Sequence, residues 1–406
     1  MKQNSNDKAQ DPSAKAANSR TQGVVRLTID AVLAITDIVE SVHKQVSPLS
    51  TVKSTSEKEQ LSGISGLVYR NIRSVTQKLG YKIDAPLAAI SKALASQPDS
   101  ATTQALLAAL NGVLGDYLAA SSNPLAIQMR FRKNGQVLDD VQLREIVNQG
   151  NGKLLVIIHG LCMNDLQWCK DGHDHGVELA KETGMAYIHL HYNSGRHISD
   201  NGQEFASLLE SLIGLSDKCL EINILAHSMG GLVSRSAFHI AENSGYKWLE
   251  LLNKVVFLGT PHHGAALEKA GNWIDLILGA HSYTAPFARL GKLRSAGITD
   301  LRYGNVQELD WHAVDRFAFT GDRRLPLPLP KNVQCFAVAT SAKNSINYPL
   351  GDGLVRIKSA LGEHPDPAFD LHIPENRKWV GTTINHKQLL SSPEVYEVLK
   401  NWFEIA

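Results

Sequence analysis

The sequence predicts an α/β protein: a doubly wound, mostly parallel sheet with a helical lid insertion, preceded by an N-terminal helical bundle. Three observations carry that prediction. Short apolar runs of strand length recur between residues 154 and 339, with helical patterns between most of them, the alternation that builds a parallel sheet covered on both faces. One such run, Ile222 to His227, breaks at Ser228 and resumes as an amphipathic helix through Leu232, Val233, Ala237 and Ile240. Before residue 123 the apolar residues recur at helical spacing only.

Taken in order, residues 1–22 are rich in Ser, Asn, Gln, Lys and Asp without apolar periodicity, so they are expected to form a disordered tail. Val25, Val32, Val39 and Val46 recur every seventh residue with Ile35 and Val42 between them, the spacing of a helix with one buried seam. Ser56 to Leu79 places Leu61, Ile64, Leu67, Val68, Ile72 and Val75 along one face. Ala85 to Leu94 is a short helix, and Ala101 to Leu118 carries Leu106, Leu107, Leu110, Leu114 and Leu118. Together they suggest a helical accessory domain over 23–122. It has no recognisable chemistry; it is either a packed accessory domain or an interaction surface for a protein partner, a second copy or a lipid interface, and its mixed charges do not favour anionic lipid.

The α/β domain, 123–406, opens with the period-two run Ala126 to Arg132, and the turn Asn134-Gly135 leads back into Val137 as a hairpin. Buried strands are expected at Leu154–Ile158, Ala186–Leu190, Ile222–His227, Val255–Leu258 and Val333–Ala339. Between Gly264 and Pro330 the alternation is interrupted by a stretch with Trp273, Ile274, Leu276, Ile277, Leu278, Tyr283, Phe287 and Trp311. An insertion at 264–330 would overhang Ser228, so it reads as a lid shaping an apolar acyl pocket; the alternative is a helical excursion packed away from the site. Leu325-Pro326-Leu327-Pro328-Leu329-Pro330 ends it as a stiff extended connector.

The break at Ser228 reads as a nucleophile elbow. A serine hydroxyl is a weak nucleophile at neutral pH, so it must be held exposed beside a histidine, with backbone donors ready for the oxyanion. Small residues are needed two before and two after the serine, and here they are Ala226 and Gly230; the alanine is the smallest departure from glycine. Gly231 adds a second small residue where the helix must approach the strand. After the apolar strand Leu154 to Ile158, the His159-Gly160 step lets the chain turn so that the Leu161 N–H meets the Met229 N–H at one oxyanion hole. His159 is then a structural histidine of that loop.

An acid and a base must follow the serine in the chain. Asp352, flanked by Gly351 and Gly353, follows the strand ending at Ala339 and is the acid; His386, ahead of the final helix Val395–Phe403, is the base. Asp310, Asp315 and Asp322 fall in the insertion, His364 and His372 precede the last strand, and Asp366 and Asp370 lack flanking glycines.

With these residues in hand the chain resembles the α/β-hydrolase fold, specifically bacterial lipases and esterases. The resemblance rests on Ala226-His227-Ser228-Met229-Gly230-Gly231, Gly259-Thr260-Pro261-His262-His263-Gly264, Gly351-Asp352-Gly353-Leu354-Val355 and Asn385-His386, in the family's order over residues 123–406. It implies Ser228, Asp352 and His386 as catalytic triad, the backbone of Leu161 and Met229 as oxyanion hole, and a serine hydrolase cleaving carboxylic esters without a cofactor. The stretch Tyr192-Asn193-Ser194-Gly195-Arg196-His197 is similar to one in some of these hydrolases and has no assigned chemistry. Acyl transfer to another acceptor or thioester cleavage by the same triad is the first alternative; a non-catalytic binding protein working through the helical domain is the second.

Composition agrees with an enzyme of small ester or lipid-like molecules. The 406 residues are 43% hydrophobic with a formal net charge of +1, and the Lys and Arg residues are scattered, which leaves no basic stripe for nucleic acid. No apolar run is long enough for a transmembrane segment and the N-terminus is polar, which suggests a cytoplasmic protein or export by a route the sequence does not show. Four cysteines, 162, 169, 219 and 335, are too scattered for a disulfide framework, and Cys162 and Cys169 near His173 and His175 lack the close pairing of a metal site.

Overall fold

Eight strands form one sheet in the order β2-β1-β4-β3-β5-β6-β7-β8. They are β1 (Arg130–Lys133), β2 (Gln136–Val137), β3 (Lys153–Ile158), β4 (Ala186–His191), β5 (Glu221–His227), β6 (Leu252–Leu258), β7 (Gln334–Ser341) and β8 (Lys378–Thr382). The computed structural model describes residues 26, 28, 30–33, 85–149, 151–170, 172–217, 220–265, 287, 294–312 and 321–404. The chain divides into two units, Met1–Gln104 and Ala105–Ala406. In the first, residues 26, 28 and 30–33 are helical, and a helix covers 85–95. The expected helix Ser56–Leu79 lies outside the described residues, as do most of the first seam and, in the insertion, 266–286, 288–293 and 313–320 with Trp273, Ile274, Leu276, Ile277, Leu278 and Tyr283.

Strands β3 to β8 pair in parallel, while β1 is antiparallel to both β2 and β4. The β1–β2 hairpin turns at Asn134 and Gly135, both at positive φ (51° and 80°), the geometry that matches strand twist. β1 begins at Arg130, four residues later than the period-two pattern suggests. The backbone before it bonds elsewhere: the Asn111 amide donates to the Leu125 carbonyl at 2.8 Å and its Oδ1 accepts the Ile127 N–H at 2.9 Å, so this stretch is tied to a helix rather than to the sheet.

That helix is α1 (Ala101–Ala120), whose residues from Ala105 onward belong to the second unit. The remaining helices used below are α2 (Asp140–Gln149), α3 (His175–Thr183), α4 (Ile198–Ile213), α5 (Met229–Ser244), α6 (Ala296–Asp300), α7 (Ile357–Ala360) and α8 (Pro393–Trp402). The parallel strands are apolar on both faces because helices cover both. Leu155, Ile157, Leu225, Val256, Leu258, Phe336 and Val338 bury with Leu179 of α3 and Val395 and Leu399 of α8. The alternate residues Leu154, Val156, Ile158, Ile222, Ile224, Val255 and Phe257 are buried equally on the other face, where α5 lies against Ile158 and Phe257 and packs beside α4.

The order also fixes where a site can form. The chain leaves β3 toward β4 on one side and returns to β5 on the other, so it reverses direction across the sheet at β3. A crevice opens at the carboxyl ends of strands at such a reversal. Residues 159–162 and Ser228 leave those two neighbouring ends, with Ile158 paired to Ala226. Among the described residues no helix is long and apolar enough to cross a membrane.

Candidate active site

Ser228 stands between β5 and α5 with φ 54° and ψ −122°. A non-glycine residue at positive φ is held there by its surroundings rather than by preference. The surroundings are specific: the Ser228 N–H donates to the Leu258 carbonyl at 2.9 Å, and its own carbonyl accepts the Gly231 N–H at 3.1 Å. The glycines that follow are sterically required. A Cβ on Gly230 would lie 2.8 Å from the carbonyl oxygens of Ile158 and His159, and one on Gly231 would lie 2.1 Å from Thr260 Oγ1. Met229 opens α5, so its N–H is a first-turn donor with no acceptor inside the helix.

The loop after β3 runs against the serine: a Cβ on Gly160 would sit 3.1 Å from the Ser228 Cβ. His159 is buried in this loop, with Nδ1–H donating to the Gly160 carbonyl at 2.9 Å and Nε2 accepting the Tyr192 N–H at 3.4 Å. Both ring nitrogens are therefore engaged within the loop and its neighbour. Leu161 is buried beside it, and Cys162 follows at φ 59°.

Asp352 and His386 come together from segments 34 residues apart. The His386 Nδ1–H donates to Asp352 Oδ2 at 2.6 Å, and the His386 N–H donates to the Asp352 carbonyl at 3.0 Å. The other carboxylate oxygen, Oδ1, accepts the N–H groups of Leu354 (2.9 Å) and Val355 (2.8 Å), which fixes the carboxylate plane. His386 Nε2 is buried and has no hydrogen-bond partner among the described residues. The link to the elbow is a residue of the elbow motif to which pattern reading gave no role. His227, immediately before Ser228, donates its Nε2–H to the His386 carbonyl at 3.2 Å, and the two rings lie 4.8 Å apart. Its sequence signals are its place beside Ser228 in that motif and a polar side chain at the end of an apolar strand.

The competing carboxylates have other work. Asp310 accepts the N–H groups of Val306, Gln307 and Leu325; Asp322 pairs with Arg324; Asp370 accepts from His364 and His372. Asp315 lies outside the described residues.

Burial sets the charge state of the surrounding histidines. Desolvation pushes His159 down to about 3 and His175 and His263 to about 4, and drives His191, His227 and His262 well below the ordinary histidine range. These rings stay neutral in the folded chain, whereas in the unfolded chain they take up protons near pH 6.5. Between about pH 6.5 and 4 the unfolded state therefore binds more protons, so stability falls as pH falls through that window. The melting temperature is expected to be lower at pH 5 than at pH 7.5, and His175→Gln is expected to narrow the difference. Equal melting temperatures at the two pH values would contradict the neutral, buried assignment.

A family model described as a domain of unknown function, DUF7379, matches residues 125–301. No curated protein matches the chain. Among solved structures it is similar to the Bacillus licheniformis lipase BlEst2 in mature form, at 18% identity over 61% of this chain and 90% of that one, with a TM-score of 0.41. Aspergillus fumigatus lipase B matches at 10% identity over 61% of this chain and 52% of its own, with a TM-score of 0.37. The type II thioesterase YbtT of the yersiniabactin pathway matches at 14% identity over 64% of this chain and 94% of its own, with a TM-score of 0.34. The chain thus spans about half the length of the Aspergillus enzyme. Likenesses at these scores carry no weight for chemistry, which rests on the site's own geometry.

Proposed function

We propose that the chain is a serine hydrolase of the α/β-hydrolase fold that cleaves carboxylic esters through an acyl-enzyme on Ser228. The fold rests on the strand order, with its antiparallel leading strands and the strand–elbow–helix turn after β5. One observation carries the functional reading. The imidazole of His386 is anchored through Nδ1 on Asp352, its Nε2 is buried and without a hydrogen-bond partner among the described residues, and its carbonyl accepts from His227, the residue before the strained Ser228.

In the proposed reaction His386 Nε2 takes the Ser228 hydroxyl proton as Oγ attacks the ester carbonyl. The resulting oxyanion is met by the N–H groups of Leu161 and Met229, from the loop after β3 and the first turn of α5. Collapse breaks the ester C–O bond, and the leaving alkoxide takes the proton from His386. Water then gives a proton to His386 as it attacks the acyl carbonyl; the acid departs and Ser228 regains its proton. Asp352 accepts from Nδ1–H throughout, which keeps Nε2 free to accept and stabilises the imidazolium.

The test is turnover of p-nitrophenyl esters from acetate to palmitate by the full chain. Release of nitrophenol is expected, and the acyl length of highest kcat/KM separates an esterase profile from a lipase one. A folded protein inert across the whole series would overturn the proposal.

A further inference from the structure

The segment Tyr192-Asn193-Ser194-Gly195-Arg196-His197 takes no part in the steps above. It leaves the carboxyl end of β4, and because Ile158 pairs with Leu190 it runs directly beside the loop after β3. Two of its hydroxyls reach that loop. Tyr192 donates its O–H to the His159 carbonyl at 2.9 Å, and its ring stacks on the His159 imidazole at 4.4 Å with 13° between the planes. Ser194 Oγ accepts the Cys162 N–H at 3.0 Å. The two bonds fall on either side of Gly160 and Leu161, one on the residue before that pair and one on the residue after it.

The bonds are needed because the turn is not one that these residues choose. Cys162 sits at φ 59°, a conformation that a side chain with a Cβ rarely adopts. Its side chain lies against α1, where a Cβ on Gly112 would come 2.1 Å from its sulfur. Burial pushes the Cys162 thiol up, so it is a neutral space-filler rather than a rival nucleophile. The clamp is itself anchored. The Asn193 amide donates to the Gly115 carbonyl of α1 at 2.9 Å, and its Oδ1 accepts the Gly195 N–H at 3.1 Å. From the far side the Gly195 carbonyl accepts the Gly297 N–H of α6 at 3.0 Å, and the Asn201 amide of α4 donates to the Asn193 carbonyl at 2.9 Å. Three helices thus hold one short segment in place, and that segment holds the turn.

We infer that Tyr192 and Ser194 are positioning residues of the oxyanion hole, their hydroxyls fixing the two ends of the His159–Cys162 turn so that the Leu161 N–H stays aimed at the reacting carbonyl. The inference rests on the serine hydrolase reading. Hydrogen-bond donors stabilise an oxyanion only when they are held where the charge develops, so loosening the turn lowers the rate without weakening ester binding.

The experiment uses the full chain with p-nitrophenyl butyrate and, for spectroscopy, an acyl-enzyme formed from a ¹³C-carbonyl cinnamoyl ester. Ser194→Ala and Tyr192→Phe are expected to lower kcat by about 10- to 100-fold, below the loss for removing a donor outright, with KM little changed. The acyl carbonyl stretch is expected to move to higher frequency as its hydrogen bonds weaken, and Ser194→Thr, which keeps the hydroxyl, is expected to restore both. A Ser194→Ala protein with wild-type kcat and stretch would overturn the inference. A loss of rate with an unshifted carbonyl stretch would also overturn it, because that pattern means general damage to the fold. Failure of the underlying function is distinguishable, since it appears in the wild type itself as absence of turnover before any variant is compared.

Discussion

Ser228→Ala is expected to lower kcat for p-nitrophenyl ester hydrolysis by about six orders of magnitude, with circular dichroism and melting temperature unchanged. The size follows from the role, since without Oγ no acyl-enzyme forms, and what remains is water attack assisted by the oxyanion donors alone. The fold is expected to survive because the substitution keeps the Cβ. The φ of 54° is imposed by backbone bonds to Leu258 and Gly231 that alanine makes equally well. A variant retaining one per cent of wild-type turnover would place the nucleophile elsewhere.

Asp352→Asn is expected to cost about four orders of magnitude in kcat. The change is close to isosteric. An asparagine oxygen at the Oδ1 position still accepts from Leu354 and Val355, so the 351–355 turn stays closed. What changes is the atom facing His386: an amide NH₂ cannot accept the Nδ1–H that Asp352 Oδ2 accepts at 2.6 Å. The imidazole is then driven to carry its proton on Nε2, the atom that has to receive one from Ser228. The comparison of wild type and variant is made by steady-state kinetics at saturating ester. A loss under tenfold would contradict the account, because it would mean that the carboxylate does not set the tautomer.

Much of this architecture is legible in the chain because its signals are local. Apolar runs such as Leu154–Ile158 and Val255–Leu258 mark buried parallel strands wherever both faces are covered, and the observed β3 and β6 contain them. Glycines on either side of Asp352 mark a turn, and both adopt positive φ there. What escapes pattern reading is pairing between distant segments. Ala126 to Met129 has the alternation of a strand, and only the Asn111 amide, reaching from a helix, explains why it is not one. The apolar face of Ala101 to Leu118 announces a buried helix but not its partner; the contacts of Gly112 with Cys162 and of Gly115 with Asn193 are small-residue approaches that leave no periodic trace. His227 and Ser194 stand in motifs that the sequence displays, but their partners do not show for the same reason, since each bonds to a residue far along the chain.

The most direct test of the central claim is covalent labelling of the full-length protein with a fluorophosphonate, read by intact mass and then by peptide mapping. One adduct is expected, located on Ser228, abolished in Ser228→Ala and strongly slowed in His386→Ala. Absence of an adduct on the folded wild type, or an adduct mapped to any other residue, would contradict it.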